Sequence, residues 1–119
     1  MKYPYFMTPF QGLWEGKYFV LSSPLFWCRK PGDIYEVPKG FKTDGASIPR
    51  LLWTIAGDPW GKKWRRPACL HDYLYSIPGF NRALADRLFY EAMRGEGLRG
   101  TKAVLMWLAV RSCGWMFKK

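Results

Sequence analysis

The chain changes its hydrophobic rhythm near the middle. Up to about Thr43, apolar and aromatic residues come in short runs bounded by turn-forming residues. Leu13–Leu21 is rich in aromatic and β-branched residues, and Leu25–Arg29 is similar, with Ser22-Ser23-Pro24 turning the chain between them. Pro31-Gly32-Asp33 makes a second turn, Ile34–Val37 reads as a short strand, and Pro38-Lys39-Gly40 turns the chain again before Phe41-Lys42-Thr43. This pattern predicts a meander of short antiparallel strands.

Beyond it the spacing becomes helical. Ser47 is a candidate N-cap for a short helix through Ile55, with Pro49 just inside its first turn. Gly57-Asp58-Pro59-Trp60-Gly61 breaks that helix. Trp64 to Ser76 is the next, with Pro67 tolerated near its start, and Pro78-Gly79 ends it. Asn81 caps a third, Arg82 to Arg94, whose Leu84, Leu88, Phe89 and Met93 fall at helical spacing before Gly95 and Gly97. A last helix runs from about Thr101 to Cys113, with Gly114 as its stop. The prediction is an α+β fold, with an N-terminal antiparallel β-meander followed by a C-terminal bundle of three to four helices.

Length and composition make this one domain over residues 1–119. Hydrophobic residues make up 49% and aromatics 18%, enough for a packed core and unlike a disordered chain. Charge is distributed unevenly. Residues 1–49 carry six basic and four acidic residues, whereas residues 50–119 carry thirteen and five, which together give the net +10. The excess therefore lies on the helical half. It predicts an anionic partner: nucleic acid, anionic lipid such as a phospholipid surface, or an acidic protein. Cys28, Cys69 and Cys113 are odd in number and widely spaced, which argues against a disulfide scaffold and for a reducing compartment. Neither a signal peptide nor a transmembrane segment is expected; the best apolar stretch, Ala103 to Phe117, is interrupted by Arg111.

The residues with the clearest chemical content are His71, Asp72, Tyr75 and Asp86. His71 is the single histidine, and Tyr75 shares its helical face four residues on. Asp86 follows His71 by 15 positions, on the next helix, across a short Pro-Gly connection. Helices so joined are antiparallel neighbours, which puts Asp86 within reach of His71. An imidazole held by a carboxylate is a general base with a fixed tautomer. Asp72 points about a hundred degrees away around the helix, free to hold a cation. The bland alternative is a hydrogen bond that pins two helices together.

Asp44 and Ser47 read first as a turn and a helix cap, and second as residues approaching His71. Lys62, Lys63, Arg65 and Arg66, interleaved with Trp60 and Trp64, form a basic cluster able to grip phosphate groups, or else a solvated loop face. No helix-turn-helix, zinc-finger or ribonucleoprotein motif is present, so no sequence-specific nucleic-acid binding is expected.

Two resemblances attach to these residues. Phe41-Lys42-Thr43-Asp44-Gly45-Ala46-Ser47-Ile48-Pro49-Arg50, then His71-Asp72-Tyr73-Leu74-Tyr75, then Arg82 and Ala85-Asp86-Arg87-Leu88-Phe89, resemble a small phage and prophage family, domain of unknown function 1353. That resemblance implies a viral or prophage origin, hence the host cytoplasm or the virion. The pattern His-Asp-x-x-Tyr followed by Ala-Asp-x-x-Phe is similar to the catalytic helices of phospholipase A2. It implies His71 as base, Tyr75 and Asp86 as its support, and Asp72, with Asp44, as ligands of a calcium ion. The glycine-rich calcium loop of that family, Tyr-x-Gly-x-Gly, has no counterpart upstream of His71. The function expected is hydrolysis of an ester or phospholipid. The alternative is a non-enzymatic tail, assembly or host-defence-interacting protein in which His71 and Asp86 are a clasp.

Overall fold

In a computed structural model the chain is described over residues 3–16, 18–43, 63 and 65–113. Six strands precede three helices: β1 (Tyr5–Phe6), β2 (Gly12–Glu15), β3 (Tyr18–Leu21), β4 (Leu25–Lys30), β5 (Asp33–Val37), β6 (Lys42–Thr43), α1 (Arg65–Ser76), α2 (Arg82–Gly95) and α3 (Gly100–Cys113). The α+β arrangement is the predicted one. The short helix expected from Ser47 to Ile55 lies outside the described residues.

The strands form two three-stranded antiparallel sheets, in the orders β1-β4-β5 and β2-β3-β6. The neighbours β2-β3 and β4-β5 are hairpins, while β1 and β6 pair with strands distant in sequence. Leu13–Leu21, expected as one strand, is a hairpin in which Glu15 faces Tyr18. Gly16 starts the turn at φ +64°, a conformation that costs glycine little and a β-branched residue a great deal. The β1 strand spans two residues, too few for any periodicity to announce it.

In β4, alternation places Leu25 and Trp27 in the core, and both are fully buried. They pack with Leu21 and Val37 from the strands, Leu70 and Leu74 from α1, and Leu88 and Ala92 from α2. A second cluster joins the helices to one another through Ala68 on α1, Phe89 and Met93 on α2, and Met106 and Val110 on α3. The α2 helix thus contributes to both clusters and stands between the strands and α3. Its start is fixed as expected: the Asn81 side chain accepts from the Leu84 amide at 3.2 Å.

Two ion pairs tie distant elements together. Arg29 on β4 makes a two-pronged contact with Glu91 on α2, at 2.8 and 3.0 Å. Arg66 on α1 does the same with Glu96 at 2.6 and 2.7 Å, donates from Nη1 to the Thr8 carbonyl, and lies over the Phe6 ring.

The end of α2 is closed by contact with the N-terminal segment. A β-carbon at Gly95 would stand 2.5 Å from the Pro4 carbonyl oxygen, inside any real contact distance. Alanine at a helical glycine ordinarily stabilises by about 0.5–1 kcal/mol. Here Gly95→Ala is expected to destabilise instead, seen as a lower urea midpoint with an unchanged slope. An unchanged or higher midpoint would contradict this packing.

Candidate functional site: a buried carboxylate with three donors

The antiparallel α1–α2 pair brings His71 and Asp86 together. His71 Nε2 lies 2.7 Å from Asp86 Oδ1, and the Tyr75 hydroxyl donates to the same oxygen at 2.6 Å. The other oxygen, Oδ2, accepts from Arg111 Nη1 at 3.0 Å. An ionised carboxylate only accepts, so the proton between His71 and Asp86 sits on Nε2 and leaves Nδ1 as the basic nitrogen. Among the described residues nothing hydrogen-bonds Nδ1. The imidazole is held from its faces as well, with the Tyr75 and Phe89 rings 4.3 and 4.8 Å away, centroid to centroid.

The site is nearly dry. Asp86 is 1% exposed and His71 7%. Burial by itself pushes a carboxyl up. At Asp86 the hydrogen bonds from His71 and Tyr75, the charge of His71 and the Arg111 guanidinium outweigh it, and its pKa is held below the ordinary carboxylate value. Burial, with the Asp86 carboxylate beside it, pushes the Tyr75 hydroxyl well up, so it stays protonated and donates. Burial also pushes up the Cys69 thiol, with Asp72 adding to it; a thiol so held is packing and not a nucleophile.

Of the residues singled out from sequence, His71, Tyr75 and Asp86 form one network. Asp72 is half-buried beside His71 on α1 and does not join the Asp86 carboxylate. Asp44, Ser47 and Lys62 lie outside the described residues. Among those described, no three His, Cys, Asp or Glu side chains converge to hold a metal. Calcium takes six to eight oxygens, and Asp72 alone does not fit that requirement. The basic cluster divides: Arg66 is drawn into its pair with Glu96, Arg65 stands near the Phe10 ring, and Lys63 is exposed.

Arg111 is the member that motif reasoning missed. Its signal was present as the charge that interrupts the apolar last helix. A guanidinium there needs a partner, and Asp86 supplies one.

The family model described as "Protein of unknown function (DUF1353)" matches residues 19–110. The uncharacterized protein y4jT of Sinorhizobium fredii is 35% identical over 96 residues, 81% of this chain and 29% of that protein. The uncharacterized protein y4iH of the same organism is 38% identical over 100 residues, 84% of this chain and 42% of that protein. The chain thus spans less than half the length of these curated relatives. No solved structure matches it significantly.

The linkage to pH follows from the sign of the shift. A carboxyl whose folded pKa is depressed stabilises the fold above its unfolded pKa, near 3.8 for Asp86, and that stability is lost as pH falls through the folded value. Glu91, also depressed because Arg29 and Arg87 outweigh its burial, adds to the same acid limb. Asp86→Asn is expected to lower unfolding free energy at pH 7 by about 3 kcal/mol and to flatten the decline below about pH 4. Parallel acid limbs for wild type and variant would contradict the assignment.

Proposed function

The chain belongs to the family described as protein of unknown function (DUF1353), and we propose that it is an ester hydrolase of the phospholipase A2 type with His71 as general base. The supporting observation is the Asp86 carboxylate that accepts from both His71 and Tyr75, with Nδ1 of the imidazole left unbonded among the described residues. In this reading a water hydrogen-bonded to Nδ1 loses its proton to His71 as its oxygen bonds to the ester carbonyl carbon. The imidazolium so formed is stabilised by Asp86 and returns the proton to the departing alkoxide as the ester C–O bond breaks. Tyr75 and Arg111 hold Asp86 and are positioning residues. The resemblance implies Asp72 and Asp44 as calcium ligands; since Asp72 alone among the described residues does not make a calcium site, no step here is routed through a metal. The net positive charge of the chain suits a phospholipid surface, and no helix among the described residues is long and apolar enough to cross a membrane.

A second reading has its own support. His71 is 7% exposed, and Asp86 receives donors on both oxygens. A closed network of this kind also suits a clasp that locks three helices in a non-enzymatic phage structural, tail-assembly or host-defence-interacting protein. A phage or prophage setting, in the host cytoplasm or the virion, is part of both readings.

Phospholipid release by the purified protein, with calcium and with chelator, separates them. Release that falls about a hundredfold or more in a folded His71→Ala variant is expected for the hydrolase. Should that variant unfold, His71→Gln provides the same comparison with the ring's volume largely kept. Loss of release with chelator would show a metal requirement and make Asp72 the next ligand to test. No release under either condition, or equal release by wild type and a folded variant, would overturn the hydrolase reading.

A further inference from the structure

Between Lys102 and Arg111 the last helix is apolar all round. Ala103, Met106 and Val110 are buried against α2, yet Val104, Leu105 and Leu108 on the opposite side are 41%, 50% and 46% exposed. Two turns of helix with no polar residue are unusual at a protein surface and mark a place where something apolar sits. Beside this face, between α2 and α3, is a groove of about 480 Å³ lined by Ala83, Arg87, Tyr90, Val104, Trp107 and Arg111. Its size is that of a small-ligand site. Its walls are largely apolar, and two guanidinium groups stand in it.

A second depression adjoins the groove and shares two of its residues. Ala83 and Arg111 also line this more polar depression of about 650 Å³, which extends past Tyr75 to Arg82. Arg111 stands where the two meet. It uses Nη1 alone on Asp86, and Arg87 uses Nε alone on Glu91, so each guanidinium has N–H groups left for another acceptor. Among the described residues no carboxylate pairs with Arg82. The composite site is therefore cationic at one end and apolar along the other.

We propose that this composite groove binds an anionic amphiphile with a single alkyl chain, its charged head at Arg111 and Arg82 and its chain along Val104 and Trp107. Charge complementarity selects the head: three arginines line the two depressions, and guanidinium geometry matches phosphate and carboxylate oxygens. The apolar walls of α3 select the chain. His71 lines neither depression, although Tyr75 and Arg111 of its network do, and occupancy of the groove does not depend on whether the protein hydrolyses anything.

Calorimetric titration tests the proposal directly. The probe is decyl phosphate below its micelle concentration, beside inorganic phosphate and decyl glucoside, which carry the head charge alone and the chain alone. Saturable binding near one ligand per chain is expected for decyl phosphate, with each control weaker by about tenfold or more. Val104→Asp places a like charge on the apolar wall at an exposed position, and Arg82→Gln removes a head contact. Both are expected to weaken decyl phosphate by about tenfold while the far-ultraviolet spectrum stays unchanged. Inorganic phosphate binding as well as decyl phosphate would reduce the site to one for free phosphate and overturn the proposal. So would equal binding by a folded Val104→Asp variant, or no binding at all.

Discussion

A carboxylate taken out of water in a small domain must be met by donors on both oxygens, and Asp86 imposes that requirement on everything around it. Leaving its charge unmet would cost several kcal/mol, a large part of the stability of a domain this size. The donors come from three places in the chain: His71 and Tyr75 on α1, and Arg111 on α3. The α2 helix that carries Asp86 stands between its two neighbours, so one side chain sets their rotation about it. A turn of α1 by one residue would withdraw both the imidazole and the phenol, and a slip of α3 would withdraw the guanidinium.

The apolar core accommodates this without conflict. Ala85 and Leu88 pack in the cluster with the strands, Phe89 and Met93 in the cluster with α3, and Asp86 lies beside the Phe89–Met93 stripe, where it meets side chains of both neighbouring helices. Phe89 serves twice, as a core residue and as a lid on one face of the imidazole. The paired contacts of Arg29 with Glu91 and Arg66 with Glu96 then fasten the far side of α2 to the strands and to the N-terminal segment. The polar network at the seam and the ion pairs at the edge thus fix the same helix from two sides.

Much of this was legible in the residues. Helical spacing, Asn81 and Pro78-Gly79 located α1 and α2, and the short connection between them made contact of His71 with Asp86 a geometric expectation. The i, i+4 relation of His71 and Tyr75 put both on one helical face, and in the fold they meet on one carboxylate oxygen. Other features were hidden because they depend on contacts between residues far apart. Pairing of β1 with β4 and of β6 with β3 is a matter of tertiary packing, and two-residue strands carry no period. Gly16 looked like one residue in an apolar run because a two-residue turn is short enough to be read through. Arg66 looked like part of a basic cluster, since nothing local announces Glu96, thirty residues away, as its partner. Arg111 appeared as a break in an apolar helix; only the fold shows that the break is what completes Asp86.

The most direct test of this account uses the fact that the chain has a single histidine. Nitrogen-15 NMR of the imidazole, correlated to its ring protons at neutral pH, reports the protonation of each nitrogen without assignment ambiguity. The account predicts Nε2 protonated and hydrogen-bonded and Nδ1 bare, with this preference lost in Asp86→Asn. A neutral imidazole protonated on Nδ1 with Nε2 bare, or a tautomer balance that is the same in wild type and variant, would mean that Asp86 does not hold the ring.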